Sequence, residues 1–221
     1  MSKTKTGVFR TVSRLNRMLL FFAFPLAAYT MMMGRNQTPS DEADLVNRAR
    51  QGDDDAFAEL YRRYYEPLVR YLFNMVHNLD DAHDLTALTL TQAWYRLSGL
   101  KDAERFRAWL YKIAHRIVLD FLRQKKAHKY QQPEPLDDNE DCIDEVGVQF
   151  VELLATWELL RQALDELPNK EQQCLLLYIY GLRPEEIAYI LDIKPTSVGA
   201  YISNARRKIQ RFFREMKDDE S

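Results

Sequence analysis

Near the C-terminal end of this 221-residue chain, the stretch from Leu167 to Phe213, LPNKEQQCLLLYIYGLRPEEIAYILDIKPTSVGAYISNARRKIQRFF, carries two helical stripes separated by a tight break. Pro184 suits the first turn of a helix, where its missing N–H would have no intrahelical acceptor, and Glu185 and Glu186 suit the positive end of the helix dipole. Ile187, Ala188 and Leu191 fall on one face. Asp192 and Ile193 break the run and Lys194-Pro195 restarts it. Val198, Ile202, Ala205 and Ile209 then recur at spacings of four, three and four, drawing one apolar stripe on a second helix that ends in Arg206, Arg207, Lys208 and Arg211. Two short helices joined by a tight turn have the form of a helix-turn-helix, whose second helix enters a DNA major groove. A hairpin that only packs has the same spacing.

The rest of the chain must supply the context. A hydrophobic content of 46% with 29% charged residues allows one or two globular domains with real cores, and seven glycines and eight prolines argue against a turn-dense β fold. Cys142 and Cys174 make neither a metal-ligand spacing nor a disulfide framework, so a reducing compartment, the cytoplasm, is expected. No nucleophile constellation, metal set or glycine-rich phosphate loop is legible, so neither catalysis nor a cofactor is expected. A net charge of −2 decides nothing about nucleic acid, because the placement of the charge matters more.

Residues 1–40 form a leader. Arg10, Arg14 and Arg17 precede an apolar run from Met18 to Met33, shorter than the roughly 20 residues a spanning helix needs. The positive-inside rule would export everything after it, which no DNA-binding domain survives functionally. Three readings stand, in this order: a start codon placed upstream of a true one at Met31, Met32 or Met33; a short membrane-associating or re-entrant segment; an export signal.

Residues 41–126 are helical by period. Ser40 to Asp44 reads as a cap with an acidic first turn, Gly52 as a break between two helices, and Pro67 as a kink site. Tyr61, Tyr64 and Tyr65 read as a half-buried stripe ahead of a base-stacking role. His77 and His83 beside Asp80, Asp81 and Asp84 read as an acidic helix start ahead of a metal site. In Asp81 to Leu97, Leu85, Leu88, Ala93, Trp94 and Leu97 suit a buried face. In FRAWLYKIAHRIVLDFLRQKK, Phe106, Trp109, Leu110, Ile113, Ile117, Phe121 and Leu122 point inward, leaving Arg105, Lys112, His115, Arg116, Asp120 and Arg123 outward. Residues 127–150 have three helix breakers, seven carboxylates, and no Lys or Arg after Pro133, which reads as a flexible acidic linker; it is either a mimic of nucleic-acid charge or a solvated spacer. Residues 151–215 open with a helix bearing Leu153, Leu154, Trp157, Leu160 and Leu164 inward, and 216–221 form a polar tail.

The order of these motifs resembles the sigma-70 family of RNA polymerase sigma factors, specifically the small extracytoplasmic-function (group IV) type. Leu167-Pro168, Leu175 to Leu177, Gly181, Glu186-Ile187-Ala188, Ile190-Leu191, Ile193 and Ser197-Val198 fit the family's region 4. DAHDL, a Trp-containing helix and FRAWLYKIAHR fit its region 2. The resemblance implies an all-α fold of two helical domains and a protein that directs RNA polymerase to promoters, with core RNA polymerase, promoter DNA and an anti-sigma factor as partners. A sequence-specific helix-turn-helix regulator, or a sigma-like protein acting through protein contacts, is the alternative.

By the same resemblance, the Asp81 to Leu97 helix would dock on polymerase through Asp81, Asp84, Leu85 and Leu88. The Ser98 to Glu104 loop and the following helix would hold the unpaired −10 strand through Lys101, Arg105, Lys112, His115, Arg116 and Arg123. Lys194, Thr196, Ser197, Tyr201 and Asn204 would face the −35 groove, with Arg206, Arg207 and Lys208 on phosphates. The chain departs from the family pattern at His83, Ala87-Leu88 and His115-Arg116, and at Gly199, Ala200, Tyr201 and Asn204, where longer or basic groups are common. Gly199 inside a helix also costs about 1 kcal/mol relative to alanine, so weak or unusual −35 binding is expected.

Overall fold

The computed structural model describes residues 39–131 and 161–219, with side chains over 41–127 and 161–216. The expectations placed on the leader and on residues 132–160, including the inward face of the helix predicted from 151, lie outside the described residues. Among those described, every regular element is helical.

Among the described residues, four helices build the first body: α1 (Pro39–Arg50), α2 (Asp54–Val76), α3 (Leu79–Arg96) and α4 (Phe106–Gln131), with short 3-10 turns at Leu97–Gly99 and Ala103–Arg105 between the last two. Each joint has a local cause. The helix starts at Pro39, so Ser40 sits inside the first turn and is not its cap. Gly52, at φ +92°, turns the chain out of α1 as the sequence suggests. Asp53 then caps α2 by accepting from the Ala56 N–H at 3.0 Å, and Arg48 pins the same carboxylate at 2.7 Å, so one aspartate ties two helices. That double engagement, the Ala56 N–H first, holds the Asp53 carboxyl below its ordinary pKa. Helix α2 continues through Pro67 to Val76. Asn78 caps α3 from the Asp81 N–H at 2.9 Å.

Leu60, Leu68, Tyr71, Leu72, Leu90, Leu97, Phe106 and Leu110 are almost fully buried between these helices. Burial of this kind is worth roughly 1.5–3 kcal/mol per large side chain, which makes the core the main source of the body's stability. Tyr64 is buried and donates to Glu42 at 2.6 Å, joining α2 to α1. Tyr65 shares a hydrogen bond with His83 Nδ1 at 2.9 Å, and Tyr61 stacks on Tyr65, so the tyrosine stripe is structural as read. On α3, Leu88 is 46% exposed, against the expectation of burial. The buried positions are Ala82, Leu85, Thr86, Thr89, Leu90 and Ala93. The two threonines occupy the core because each hydroxyl donates back to a carbonyl of its own helix, Ala82 and Leu85, at 2.7 Å, leaving no bare donor.

Among the described residues, the second body has helix at 161–165 and contains α5 (Asn169–Ile179), α6 (Pro184–Leu191) and α7 (Pro195–Asp219). Gly181 at φ +77° ends α5 by a reciprocal closure: its N–H reaches the Tyr178 carbonyl at 2.9 Å and the Leu182 N–H reaches the Leu177 carbonyl at 3.1 Å. Asp192, at φ +55°, ends α6 in the same left-handed conformation. The Glu186 carboxylate accepts from the Arg183 N–H at 2.7 Å at the start of α6. The predicted stripe of Val198, Ile202, Ala205 and Ile209 is buried throughout, in the same apolar cluster as Cys174, Leu177, Ile187 and Ile190. Burial pushes the Cys174 thiol up to about 11, so it is a core residue with little thiolate.

The two bodies meet along α4. Their buried residues form one continuous apolar cluster, and this explains why α4 buries more than its predicted face. Ala108, Tyr111, Ala114 and Val118 are buried as well, while Trp109, Phe121 and Leu122 are half-buried.

Candidate nucleic-acid interface

On α7 the apolar stripe faces inward, so geometry fixes which side chains remain for a partner. Lys194, Thr196, Arg206 and Arg207 are exposed, and Ser197, Tyr201, Asn204 and Lys208 are half-buried. These groups differ in freedom. Arg206 lies over the Tyr178 ring at 5.0 Å, Arg207 donates to the Asn204 side-chain oxygen at 3.0 Å, and Tyr201 packs against the core. Lys208 reaches Glu171 of α5 at 3.0 Å. Glu171 is buried, and the same oxygen has no hydrogen-bond donor, so the ammonium compensates its charge off the hydrogen-bonding direction. Lys208 is therefore engaged inside the fold, where the sequence suggested a phosphate contact. Gly199 faces open space and is not required by close packing.

The second surface runs from the loop after α3 onto α4. Lys101, Arg105, Arg116 and Arg123 are exposed, Arg105 beside Asp102 at 3.3 Å and Arg123 beside Asp120 at 2.9 Å. Two residues predicted on this surface lie elsewhere. His115 is only 6% exposed and shares a hydrogen bond with the buried Tyr71 hydroxyl at 2.9 Å. Desolvation lowers its pKa to about 4, so it is a neutral core imidazole that cannot meet a strand. Its misplacement follows from reading α4 as one-sided when the helix is covered on two sides. Lys112 is half-buried because α6 lies against it: its Nζ donates to the Tyr189 carbonyl at 2.7 Å.

The third surface is the outer side of α3. Asp84 and Leu88 are both exposed. Leu85 is buried in the core and not offered to a partner, and Asp81 is held by Lys125 at 3.1 Å. Tyr95, 78% exposed and two turns after Leu88, extends this face and was missed by the sequence reading; its position seven residues along the same helix is the signal that could have found it. His77 pairs with Asp165 at 3.2 Å and His83 with Tyr65, which separates the histidines of the candidate cluster. No group of His, Cys, Asp and Glu that could hold a metal ion occurs among the described residues. Also among the described residues, no helix is long and apolar enough to cross a membrane.

A helix-turn-helix with a solvent-facing basic end lies beside a helical bundle whose last helix exposes arginines, the architecture of an all-α protein of the helix-turn-helix class. Residues 39–216 match the family described as ECF sigma factor, and the chain belongs to that family. It is 28% identical over 167 residues to the RNA polymerase sigma factor YlaC of Bacillus subtilis, covering 75% of this chain and 96% of that protein. It is 31% identical over 192 residues to the ECF RNA polymerase sigma factor BldN of Streptomyces coelicolor, covering 84% and 70%. Among solved structures, CnrH in complex with the cytosolic domain of CnrY superposes with a TM-score of 0.59 at 22% identity over 81% of this chain and 99% of that one, a likeness of fold.

Proposed function

We propose that this sigma factor binds core RNA polymerase through the outer face of α3 and reads promoters with two surfaces. The loop after α3 and the exposed basic residues of α4 hold the unpaired −10 strand, and α7 reads the −35 duplex. The observation that carries the reading is the sidedness of α7. Its apolar stripe is consumed by packing, which leaves Lys194, Thr196, Arg206 and Arg207 as an exposed polar and basic edge of the kind that enters a major groove. Exposed Lys101, Arg105, Arg116 and Arg123 supply the charge a displaced strand needs, while Asp84, Leu88 and Tyr95 give α3 a mixed acidic and apolar face for a protein partner. The RNA polymerase sigma factors among its relatives support this assignment. A structure with a related fold contains the sigma factor RpoE with the anti-sigma factor NepR, and an anti-sigma factor is proposed as a partner here.

The test is transcription with purified core polymerase on promoters mapped after overexpression, with footprinting across a salt series. Protection at both elements only when polymerase is present is the expected result. Protection of duplex DNA by the chain alone would favour a polymerase-independent regulator.

A further inference from the structure

The basic end of α7 holds its cations in two different ways. Lys208 faces the Glu171 carboxylate at 3.0 Å and Arg211 faces that of Glu215 at 3.6 Å, so each has a negative partner within the chain. Arg206 and Arg207 have neutral ones. The Arg206 guanidinium carbon lies 5.0 Å from the centre of the Tyr178 ring, and Arg207 donates from Nη2 to the Asn204 side-chain oxygen at 3.0 Å. Both holders are anchored. Tyr178 stands in the last turn of α5, half-buried against the apolar core, and Asn204 is half-buried three residues before Arg207 on α7. The arginines themselves are exposed.

The difference decides what each cation can offer an anion. Binding to DNA releases counterions in proportion to the positive charge brought to the phosphates, and a cation already paired with a carboxylate brings little. A ring face attracts a guanidinium through its quadrupole and takes up none of its N–H donors, and an amide oxygen takes up only one. The charge stays whole, and donors remain for bidentate contact with a phosphate. Each side chain also gives up part of its freedom in advance, a loss that otherwise weakens binding roughly two- to tenfold for every long side chain immobilised. Resting on the promoter-binding reading, we infer that Tyr178 and Asn204 are positioning residues, which hold Arg206 and Arg207 ready for phosphates of the −35 duplex without cancelling their charge. Asn204, which the family resemblance places among the groove readers, then acts through Arg207 and not on a base.

The experiment measures promoter binding by core polymerase carrying the full chain across a salt series. Asn204→Ala and Tyr178→Leu should each lower affinity about threefold at every salt concentration, with the salt slope unchanged because no cation is removed. Tyr178→Phe, which keeps the ring, should bind like wild type. Asn204→Asp should lower the slope by roughly 0.9, since a carboxylate there neutralises Arg207. Asn204→Ala should cost nothing further when Arg207 is already alanine, and Tyr178→Leu nothing further when Arg206 is. A readout without DNA is NMR relaxation of the arginine Nε groups in the free chain, each signal identified by its loss in Arg206→Lys or Arg207→Lys. There, Tyr178→Leu should loosen Arg206 and Asn204→Ala should loosen Arg207. Tyr178→Met replaces Tyr178→Leu if circular dichroism shows that variant unfolded. A further loss of affinity in the double variants would make the holder a DNA contact in its own right and overturn the proposal. Unchanged arginine mobility, a lower slope in Asn204→Ala, or a Tyr178→Phe variant as weak as Tyr178→Leu would also overturn it. A wild-type chain that gives no polymerase-dependent promoter binding would instead sink the promoter-binding reading, while relaxation still decides whether the two arginines are held.

Discussion

Replacing Lys208 by alanine separates a structural lysine from a DNA-binding one. Its ammonium stands 3.0 Å from Glu171, with the two side chains 35% and 11% exposed, and the facing carboxylate oxygen has no hydrogen-bond donor. Exposed pairs contribute about 0–1 kcal/mol, and stranding one member of a buried pair costs about 3–5 kcal/mol; with one end half-open, the expected loss is about 2 kcal/mol. Glu171→Gln removes the stranded charge, so Lys208→Ala/Glu171→Gln should recover most of that loss. Urea melts of the full chain measure both, as a shift in midpoint at unchanged slope. In parallel, the salt dependence of promoter binding with polymerase should be the same for Lys208→Ala as for wild type, while Arg207→Ala should lower the slope by roughly 0.9. If Lys208→Ala melted like wild type and cost a unit of salt slope, the lysine would be on a phosphate and the packing argument would be wrong.

Because His115 titrates at about 4 when folded and near 6.5 when unfolded, the unfolded chain binds the extra proton between those values. Stability should therefore fall as pH drops from about 6.5 towards 4, by up to about 3 kcal/mol, and His115→Gln should flatten that part of a denaturation-against-pH profile. Gly199→Arg has open space for its side chain; it should raise the melting midpoint through about 1 kcal/mol of helix propensity and steepen the salt slope of −35 binding, both visible in melts and footprints. On α3, Leu88→Ser should weaken a core-polymerase pull-down with an unchanged melt, whereas Leu85→Ala should lower stability by about 2–5 kcal/mol; the reverse pattern would move the polymerase face elsewhere.

The helix-turn-helix was legible because its determinants are local. Pro184 starts α6, Asp192 stops it, Pro195 restarts the chain, and the stripe from Val198 to Ile209 needs only helical spacing to be recognised. What the sequence could not supply was the second covering of α4. His115 and Lys112 lie on flanks that an isolated amphipathic helix would expose; one meets the Tyr71 hydroxyl and the other the end of α6, partners that are distant in sequence. Arg107 was passed over for the same reason, as a charge beside Phe106 with nothing local to mark its acceptors, the Tyr180 and Gly181 carbonyls. Thr86 and Thr89 look polar in a one-dimensional pattern and are buried because each satisfies itself within its own turn. On the outer surfaces, sidedness was readable, but which basic groups were already committed was not, as Lys208 shows.

The grip of Arg107 and Lys112 falls chiefly on main-chain carbonyls. Backbone oxygens are present whatever residue occupies the position, so exposed side chains of α7 such as Thr196 and Arg207 can be exchanged over evolutionary time without touching these contacts. Divergence of that exposed edge and persistence of these contacts are thus independent.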